Sequence, residues 1–246
     1  KFIPNETCLI FDELQDCPEA RTSLKYFKMD GRYDVICTGS LLGVKGYGSK
    51  NKNKEKDKGS SVPVGYETIV EMFPLDFEEF LWANGISEEI IALLKKHLET
   101  ETPVTAAIHK RMSDLLRQYA VVGGMPEAVQ AYCDNVPLRE IRSIHNEILT
   151  AYINDLSKHA PKEQVLRITQ VFRSIPAQIA KENKKFVFGM LKKGARAKEF
   201  ELAIQWLMDA GLVHKVCQVS KPEAPLTFYE ESDAFKLFLL DCGLLG

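Results

Sequence analysis

Two adjacent carboxylates, Asp12 and Glu13, follow directly on a short apolar run near the start of the chain. The run consists of Leu9, Ile10 and Phe11, and its brevity is typical of a parallel strand buried on both faces. The carboxyl ends of parallel strands form the ligand crevice of an open sheet. The sequence therefore predicts that both acids lie at such a crevice, and an ordinary strand end at a loop is the alternative.

An Asp-Glu pair in this position suits one particular kind of chemistry. One carboxylate can hold Mg²⁺ through water, while its neighbour orients and deprotonates the water that attacks a γ-phosphate. This is the chemistry of a Walker B strand.

The next stretches predict a second strand beside the first. Residues 19–30 carry apolar side chains among charges and indicate an amphipathic crossover helix, and residues 33–37 indicate another buried strand. Such a βαβ unit brings the ends of its two strands to the same sheet edge. Thr38 and Ser40 are therefore expected beside the two acids, where a hydroxyl can contact a γ-phosphate.

Five stretches carry a resemblance to a known family: LIFDELQ, LKYF, ICTGSLLG, PVGYETIVEMFPLDFEEFLWANGI and VVGGMPEAV. In these the chain resembles prokaryotic ATPases of the AAA type, whose C-terminal half is an uncharacterised, restriction-endonuclease-like domain. The resemblance implies that Asp12 helps to hold Mg²⁺, that Glu13 polarises the attacking water, and that Thr38 or Ser40 senses the γ-phosphate. It implies ATP and Mg²⁺ as cofactors.

A phosphate-binding loop of the form GxxxxGK[ST] does not occur in the chain, although a Walker B strand depends on one. In the family that loop lies upstream of the Walker B strand. The resemblance thus implies a chain that starts part-way through a longer protein, and this piece alone is not expected to hydrolyse ATP. The alternative function is a DNA-binding or protein-docking module with a degenerate nucleotide site.

The predicted fold combines α/β and α parts: a partial parallel P-loop ATPase sheet, a helical lid and a winged-helix-like module. Residues 68–73 are expected to form a third strand, either detached from the others or paired with residues 33–37. Further helices are predicted over residues 87–97, 104–119 and 141–156. The predicted domains are residues 1–85 (partial ATPase core), 86–160 (lid), 161–228 (winged-helix-like domain) and 229–246 (start of a truncated C-terminal domain).

The third of these segments has the element order of a winged helix. The sequence predicts a helix over residues 165–175, a second one restarted by Pro176, a long helix over 200–212, a strand over 213–219 and a wing at 220–225. The basic side chains just before the long helix are suited to a DNA backbone; they are Lys192, Lys193, Arg196 and Lys198. Protein docking stays the other use, because Glu199, Glu201 and Asp209 place negative charge on that helix.

Two motifs receive no functional role from the sequence. VVGGMPEAV is predicted to be a tight Gly-Gly turn that enters a helix. AFKLFLLDCGLLG, residues 234–246, is predicted to be a buried strand that begins the C-terminal domain. Asp241 within it is given no catalytic role, because a metal-dependent nuclease needs more than one carboxylate. The resemblance implies that a nuclease-like domain continues beyond Gly246.

Charge and cysteine usage limit the remaining choices. A net charge of −2 and a pI near 6.3 give no global attraction to nucleic acid or to an anionic membrane, so such binding must be local. The Lys-rich residues 41–63 are predicted to be a solvated loop. Six scattered cysteines without CxxC spacing are typical of free thiols in a reducing cytosol. No apolar run reaches the ~18 residues of a spanning helix, so the predicted location is the cytoplasm.

Overall fold

The computed structural model describes residues 2–14, 17–39, 65–183 and 185–246. Predictions for Ser40 and for the loop at 41–63 lie outside the described residues. The chain divides into two compact units, residues 1–72 with 159–161 and residues 73–158 with 162–246. This division is coarser than the four predicted domains, whose boundaries stay predictions.

The first unit contains the predicted βαβ arrangement. Strand β1 is Cys8–Phe11, helix α1 is Pro18–Asp30 and strand β2 is Asp34–Cys37. The two strands pair in parallel, with Cys8 opposite Asp34 and Phe11 opposite Cys37. Helix α1 ends where Gly31 adopts a left-handed conformation and donates its N–H to the Phe27 carbonyl.

Within the described residues, one face of this small sheet is covered and the other is exposed, so the prediction of strands buried on both faces is wrong. Phe11 packs on Phe27 of α1, with ring centroids 5.8 Å apart. Ile10 and Ile36 point to the other face and are 67% and 54% exposed. The physical reason is that α1 is the only helix in the described part of this unit, and one helix shields one face.

The predicted third strand over residues 68–73 is absent from the described structure, so that prediction is also wrong. These residues have no regular secondary structure, and Met72 is 95% exposed. In the described residues β2 pairs with β1 alone, so no further strand offers hydrogen bonds to this segment. The preceding residues are held against α1 instead, through an ion pair of 3.0 Å between Arg21 and Glu67.

The second unit begins with helices that agree with the sequence predictions to within a few residues. Helix α2 starts in a capping box, in which Asp76 accepts from the Glu79 N–H and Glu79 accepts from the Asp76 N–H. The helices are α2 Phe77–Ala83, α3 Glu88–Glu99, α4 Ala106–Val122, α5 Pro126–Cys133 and α6 Leu138–His159. The lid function of this region stays a prediction.

Aromatic stacking organises the core of these helices. Phe80 is fully buried, and its ring lies 5.3 Å from Tyr119 of α4 and 5.5 Å from Tyr132 of α5. Leu115 and Ile141 are buried in the same cluster. Each such side chain contributes about 1.5–3 kcal/mol through burial, so this cluster fixes how α2, α4, α5 and α6 meet.

Two helices and a hairpin complete the second unit. Helix α7 is Lys162–Ile179, helix α8 is Ala197–Asp209, and strands β3 Val213–Val219 and β4 Glu230–Leu239 pair antiparallel. A short 3-10 turn, Phe188–Met190, precedes α8. The strand predicted at 213–219 is confirmed.

Pro176 does not restart a helix, as the sequence analysis predicted, but lies within the last turn of a continuous α7. A proline there removes one backbone hydrogen bond near the helix end. The buried face of α7 outweighs this loss, because Ile168, Val171 and Ile175 are all fully buried.

The last predicted strand is shorter than expected. Strand β4 ends at Leu239, opposite Val213 of β3, and a 3-10 turn Cys242–Leu245 follows it. Residues 234–239 therefore form the last part of β4, the second strand of the hairpin, and residues 240–246 are not a strand. The assignment of residues 229–246 to a further domain stays a prediction.

A buried carboxylate gives the Gly-Gly motif its role. Asp241 is only 4% exposed and accepts the Gly124 N–H at 2.6 Å and the Gly243 N–H at 2.9 Å. A Cβ on Gly123 would overlap the Asp241 carboxylate, and a Cβ on Gly124 would overlap the Leu75 carbonyl oxygen. Glycine is therefore required at both positions, because the segments that contain Leu75 and Asp241 lie against the backbone of the motif.

Neighbouring polar groups complete this buried contact. His145, itself buried, donates its Nε2–H to the Val122 carbonyl at 2.9 Å, and the Tyr119 hydroxyl donates to the Leu75 carbonyl at 2.8 Å. Burial, with the nearby negative groups, raises the pKa of Tyr119 to about 12. The tyrosine therefore stays a hydrogen-bond donor at neutral pH.

Gly124→Ala is expected to destabilise the protein by roughly 1–3 kcal/mol or more, because the new methyl group must push backbone atoms apart. Gly189→Ala is the matched control, since a Cβ at Gly189 has no atom within 4 Å. The free energy of unfolding in urea measures both. Equal stability of the two variants would show that the turn is not tightly packed.

The stability of the protein is expected to depend on the protonation of Asp241. Burial raises the pKa of its carboxyl above 3.8, although the two N–H donors and His145 partly oppose this. The folded chain then binds the proton more tightly than the unfolded chain, so this stabilisation is present at low pH and is lost as pH rises through the folded pKa. Urea unfolding from about pH 4 to 7 should show the wild type losing stability relative to Asp241→Asn. If the free energies of unfolding of the wild type and of Asp241→Asn change with pH in parallel, the pKa of Asp241 is not raised.

Candidate functional site

The ends of β1 and β2 bring three predicted site residues together. The ladder continues past the strands, because the Thr38 N–H donates to the Phe11 carbonyl and the Leu14 N–H donates to the Thr38 carbonyl, each at 2.9 Å. Asp12 and Glu13 lie between these two bonds. The predicted sheet edge with two acids and a hydroxyl is therefore present.

The Thr38 hydroxyl connects the two acids. It donates a hydrogen bond to the Asp12 carboxylate and accepts the Glu13 N–H at 3.3 Å. One hydroxyl group can do both, since it has one hydrogen and two lone pairs. Sequence reasoning placed Thr38 here but missed this bond, because spacing alone does not show which polar atoms face each other.

Glu13 has an unusual backbone conformation. Its φ is +49°, in the left-handed region that residues with a Cβ rarely adopt. Leu14 is buried and its N–H is bonded to Thr38, so the chain must turn sharply at Glu13 to place this leucine inward. Backbone strain of this kind costs about 1–3 kcal/mol and is frequent at functional sites.

The predicted residues fall into two separate groups. Asp12, Glu13 and Thr38 are exposed to solvent in the first unit. The predicted DNA contacts are exposed in the second unit, just before and within the first turn of α8; they are Lys192, Lys193, Arg196 and Lys198.

A groove of about 450 Å³ runs beside β2, between this strand and residues 65–70. Arg21 and Glu67 form their ion pair in its wall, with side chains only 11% and 17% exposed. Burial raises the pKa of the Cys37 thiol, and the charge of Glu67 raises it further. Cys37 is therefore protonated near neutral pH and is a poor nucleophile.

The donor atoms suit a hydrated magnesium ion. Carboxylate oxygens are the ligands that Mg²⁺ prefers, and this ion usually keeps several waters and uses only one or two carboxylates. Asp12 and Glu13 supply these oxygens. Within the described residues, no group of three or more His, Cys, Asp or Glu side chains could hold a metal ion. The sequence contains no phosphate-binding loop of the form GxxxxGK[ST].

Two protein families match the chain. Residues 1–81 match an AAA domain, and residues 113–246 match a domain of unknown function, DUF8612. The second match covers more than half of the chain. The chain belongs to the DUF8612 family. No curated protein and no solved structure matches it.

The matches agree in part with the resemblance seen in the sequence. Residues 1–81 form an AAA-type P-loop ATPase-like region, and they contain Asp12, Glu13 and Thr38. The DUF8612 region contains both partners of the buried contact between Gly124 and Asp241. The restriction-endonuclease-like character of the C-terminal half stays a prediction. In the described parts of the chain, no helix is both long and apolar enough to cross a membrane.

Thr38→Val is expected to free the Glu13 amide. The valine keeps the shape of the side chain but cannot accept the N–H or donate to Asp12. A net hydrogen bond is worth about 0.5–1.5 kcal/mol, so the Glu13 amide should exchange roughly 2- to 10-fold faster with deuterium, measured by NMR. Thr38→Ser keeps the hydroxyl and should exchange like the wild type. Unchanged exchange in the valine variant would show that the bond is not formed in solution.

Proposed function

We propose that residues 1–81 supply the Walker B and sensor elements of a Mg²⁺-dependent ATPase. The observation that carries the proposal is the shared Thr38 hydroxyl, which bonds to Asp12 and to the Glu13 backbone at the ends of two parallel strands. The match of these residues to an AAA domain supports it. A chance Asp-Glu pair at a strand end would not need this cross-strand arrangement.

Asp12 is proposed to position the metal. Its carboxylate has two oxygens, and the Thr38 hydroxyl engages one of them. The remaining oxygen is available to a water of the hydrated Mg²⁺. Thr38 thus acts on Asp12 as a positioning residue, and Ser40 stays the other proposed sensor of the γ-phosphate.

Glu13 is proposed to accept a proton from the attacking water. A general base must lie within hydrogen-bond reach of the proton that it takes, and the turn at Glu13 places this residue, with an exposed side chain, directly after Asp12 at the sheet edge. Bound Mg·ATP supplies the γ-phosphate that the water attacks. Hydrolysis would also require a phosphate-binding loop, and residues 1–246 contain no sequence of the form GxxxxGK[ST].

Glu13→Gln, made in a protein that includes such a loop, is expected to keep ATP binding and to lose hydrolysis by about 100-fold or more, because general-base catalysis contributes about 10²–10⁴. Nucleotide binding and phosphate release should be measured on the same preparation. Glu6→Gln is the control, since Glu6 is exposed and precedes β1. Full hydrolysis by the Glu13 variant would refute the role of Glu13.

We also infer a winged-helix arrangement for the end of the second unit. The order is helix α7, an extended segment, helix α8 and the β3–β4 hairpin. In the extended segment, the Phe186 N–H donates to the Phe235 carbonyl of β4 at 2.9 Å. This single bond ties the segment to the edge of the two-stranded hairpin, at the place where a winged helix has its third strand. Such modules bind DNA or dock proteins, so the architecture alone does not decide the partner. A module of either kind with a degenerate nucleotide site is the alternative function of the chain.

A further inference from the structure

The second unit carries a concentrated positive charge in an otherwise slightly acidic chain. Residues 183–198 contain six Lys and Arg and no Asp or Glu, whereas the whole chain has a net charge of −2. Four of these cations lie at the turn before α8 or in the first turn of α8 and are exposed: Lys192, Lys193, Arg196 and Lys198. We call these four residues the basic turn.

The basic turn has no ion pair with a carboxylate in the described part of the chain. In the described residues, the salt bridges engage Arg21, Arg32, Lys95 and Arg117, and none involves a residue of the basic turn. Four cations within seven residues also repel one another. Because this repulsion between the four cations is unfavourable in the free protein, it indicates a partner that carries negative charge.

The backbone of the basic turn is anchored in the core. The Ala195 N–H donates to the Lys192 carbonyl at 3.0 Å, which closes the turn. Phe188, just before it, packs on three other rings at centroid distances of 5.2, 6.4 and 6.1 Å; these are Phe186, Phe200 and Phe235. The four charges therefore project from a fixed backbone, and less entropy is lost when they bind several anions together.

The exposed face of α8 has the opposite character. Glu199 and Glu201 are exposed there, and Leu202 is 68% exposed. Gln205 donates its side-chain amide to Asp209 at 3.0 Å. A helix that enters the major groove needs donors aimed at base edges and no excess of carboxylates between the phosphates. Helix α8 is therefore unsuited to reading bases.

We propose that the basic turn binds the phosphate backbone of a nucleic-acid duplex without regard to sequence. Phosphate contacts position a protein on a duplex, whereas base contacts give specificity, and the exposed side chains of the basic turn suit the first kind of contact. DNA and RNA duplexes share this backbone chemistry. The proposal does not depend on nucleotide binding by residues 1–81.

The salt dependence of binding gives a quantitative expectation. Each phosphate neutralised by a Lys or Arg contributes about −0.9 to the slope of log K against log salt. Four contacts predict a slope of about −3.6 and a loss of about 100-fold in affinity between 50 and 200 mM salt. A neutral or purely protein-docking surface would show no such slope with duplexes.

The experiment compares two triple charge reversals of equal net charge in the chain of residues 1–246, without nucleotide. The test variant is Lys192→Glu/Lys193→Glu/Arg196→Glu. The control variant is Lys110→Glu/Arg111→Glu/Lys162→Glu, at exposed positions on α4 and at the start of α7. Helix α7 has 18 residues and is therefore about 27 Å long, which separates Lys162 from the end of the helix that leads to the basic turn.

Fluorescence anisotropy with 20-base-pair DNA and RNA duplexes, at 50–200 mM salt, measures binding. The proposal is supported if the wild type and the control bind with a slope near −3.6 while the test variant loses about 100-fold in affinity at low salt. Equal losses in both variants, or no salt-dependent duplex binding by the wild type, would overturn it. A preference of more than tenfold for one duplex sequence would overturn sequence independence.

Two further measurements keep the result interpretable. Circular dichroism and thermal unfolding of both variants should match the wild type, because all six positions are exposed. The DNA and RNA arms identify which duplex is bound more tightly, and binding in either arm with the predicted slope supports the proposal. If ATP hydrolysis is absent from a longer protein while duplex binding persists, only the ATPase proposal fails.

Discussion

The buried Asp241 carboxylate holds together parts of the second unit that are distant in sequence. It accepts the N–H of Gly124, 117 residues earlier, and the N–H of Gly243. Burying a carboxylate is costly unless its oxygens are hydrogen-bonded, so the surrounding backbone has to fit it closely. Two adjacent glycines meet this demand, because a Cβ at either position would overlap a neighbouring group.

This contact also determines how neighbouring elements pack. The Gly-Gly turn connects α4 to α5, and Leu75 lies against it just before α2. The turn after β4 carries Asp241, so this contact joins the end of the hairpin to the helical core. Gly124 and Asp241 both lie within the family match at residues 113–246, whereas Leu75 lies outside it.

The first unit depends on a smaller set of interactions. Two four-residue strands and one helix leave an open sheet face with Ile10 and Ile36 exposed. Its chemistry is nevertheless well defined, because the Thr38 hydroxyl and the bonds of Thr38 to Phe11 and Leu14 fix the strand ends. A site can therefore be well ordered on a scaffold that buries little surface.

The sequence by itself determined the local features of this protein. The apolar run at 8–11, the amphipathic pattern of α1 and the acids after β1 follow from neighbouring residues, and the structure confirms the βαβ unit and most helices. Local patterns suffice there because helices and strands depend on periodicity and on end signals close in sequence.

Only the tertiary structure decided the features that depend on distant partners. Residues 68–73 have a strand-like composition, but no strand pairs with them in the described part of the chain. Helix α7 continues through Pro176 because one of its faces is buried. The Thr38 bond to Asp12 and the Asp241 bond to Gly124 join residues 26 and 117 positions apart. Whether a polar atom finds a partner, or an apolar face a cover, depends on packing between segments, and no local pattern contains that information.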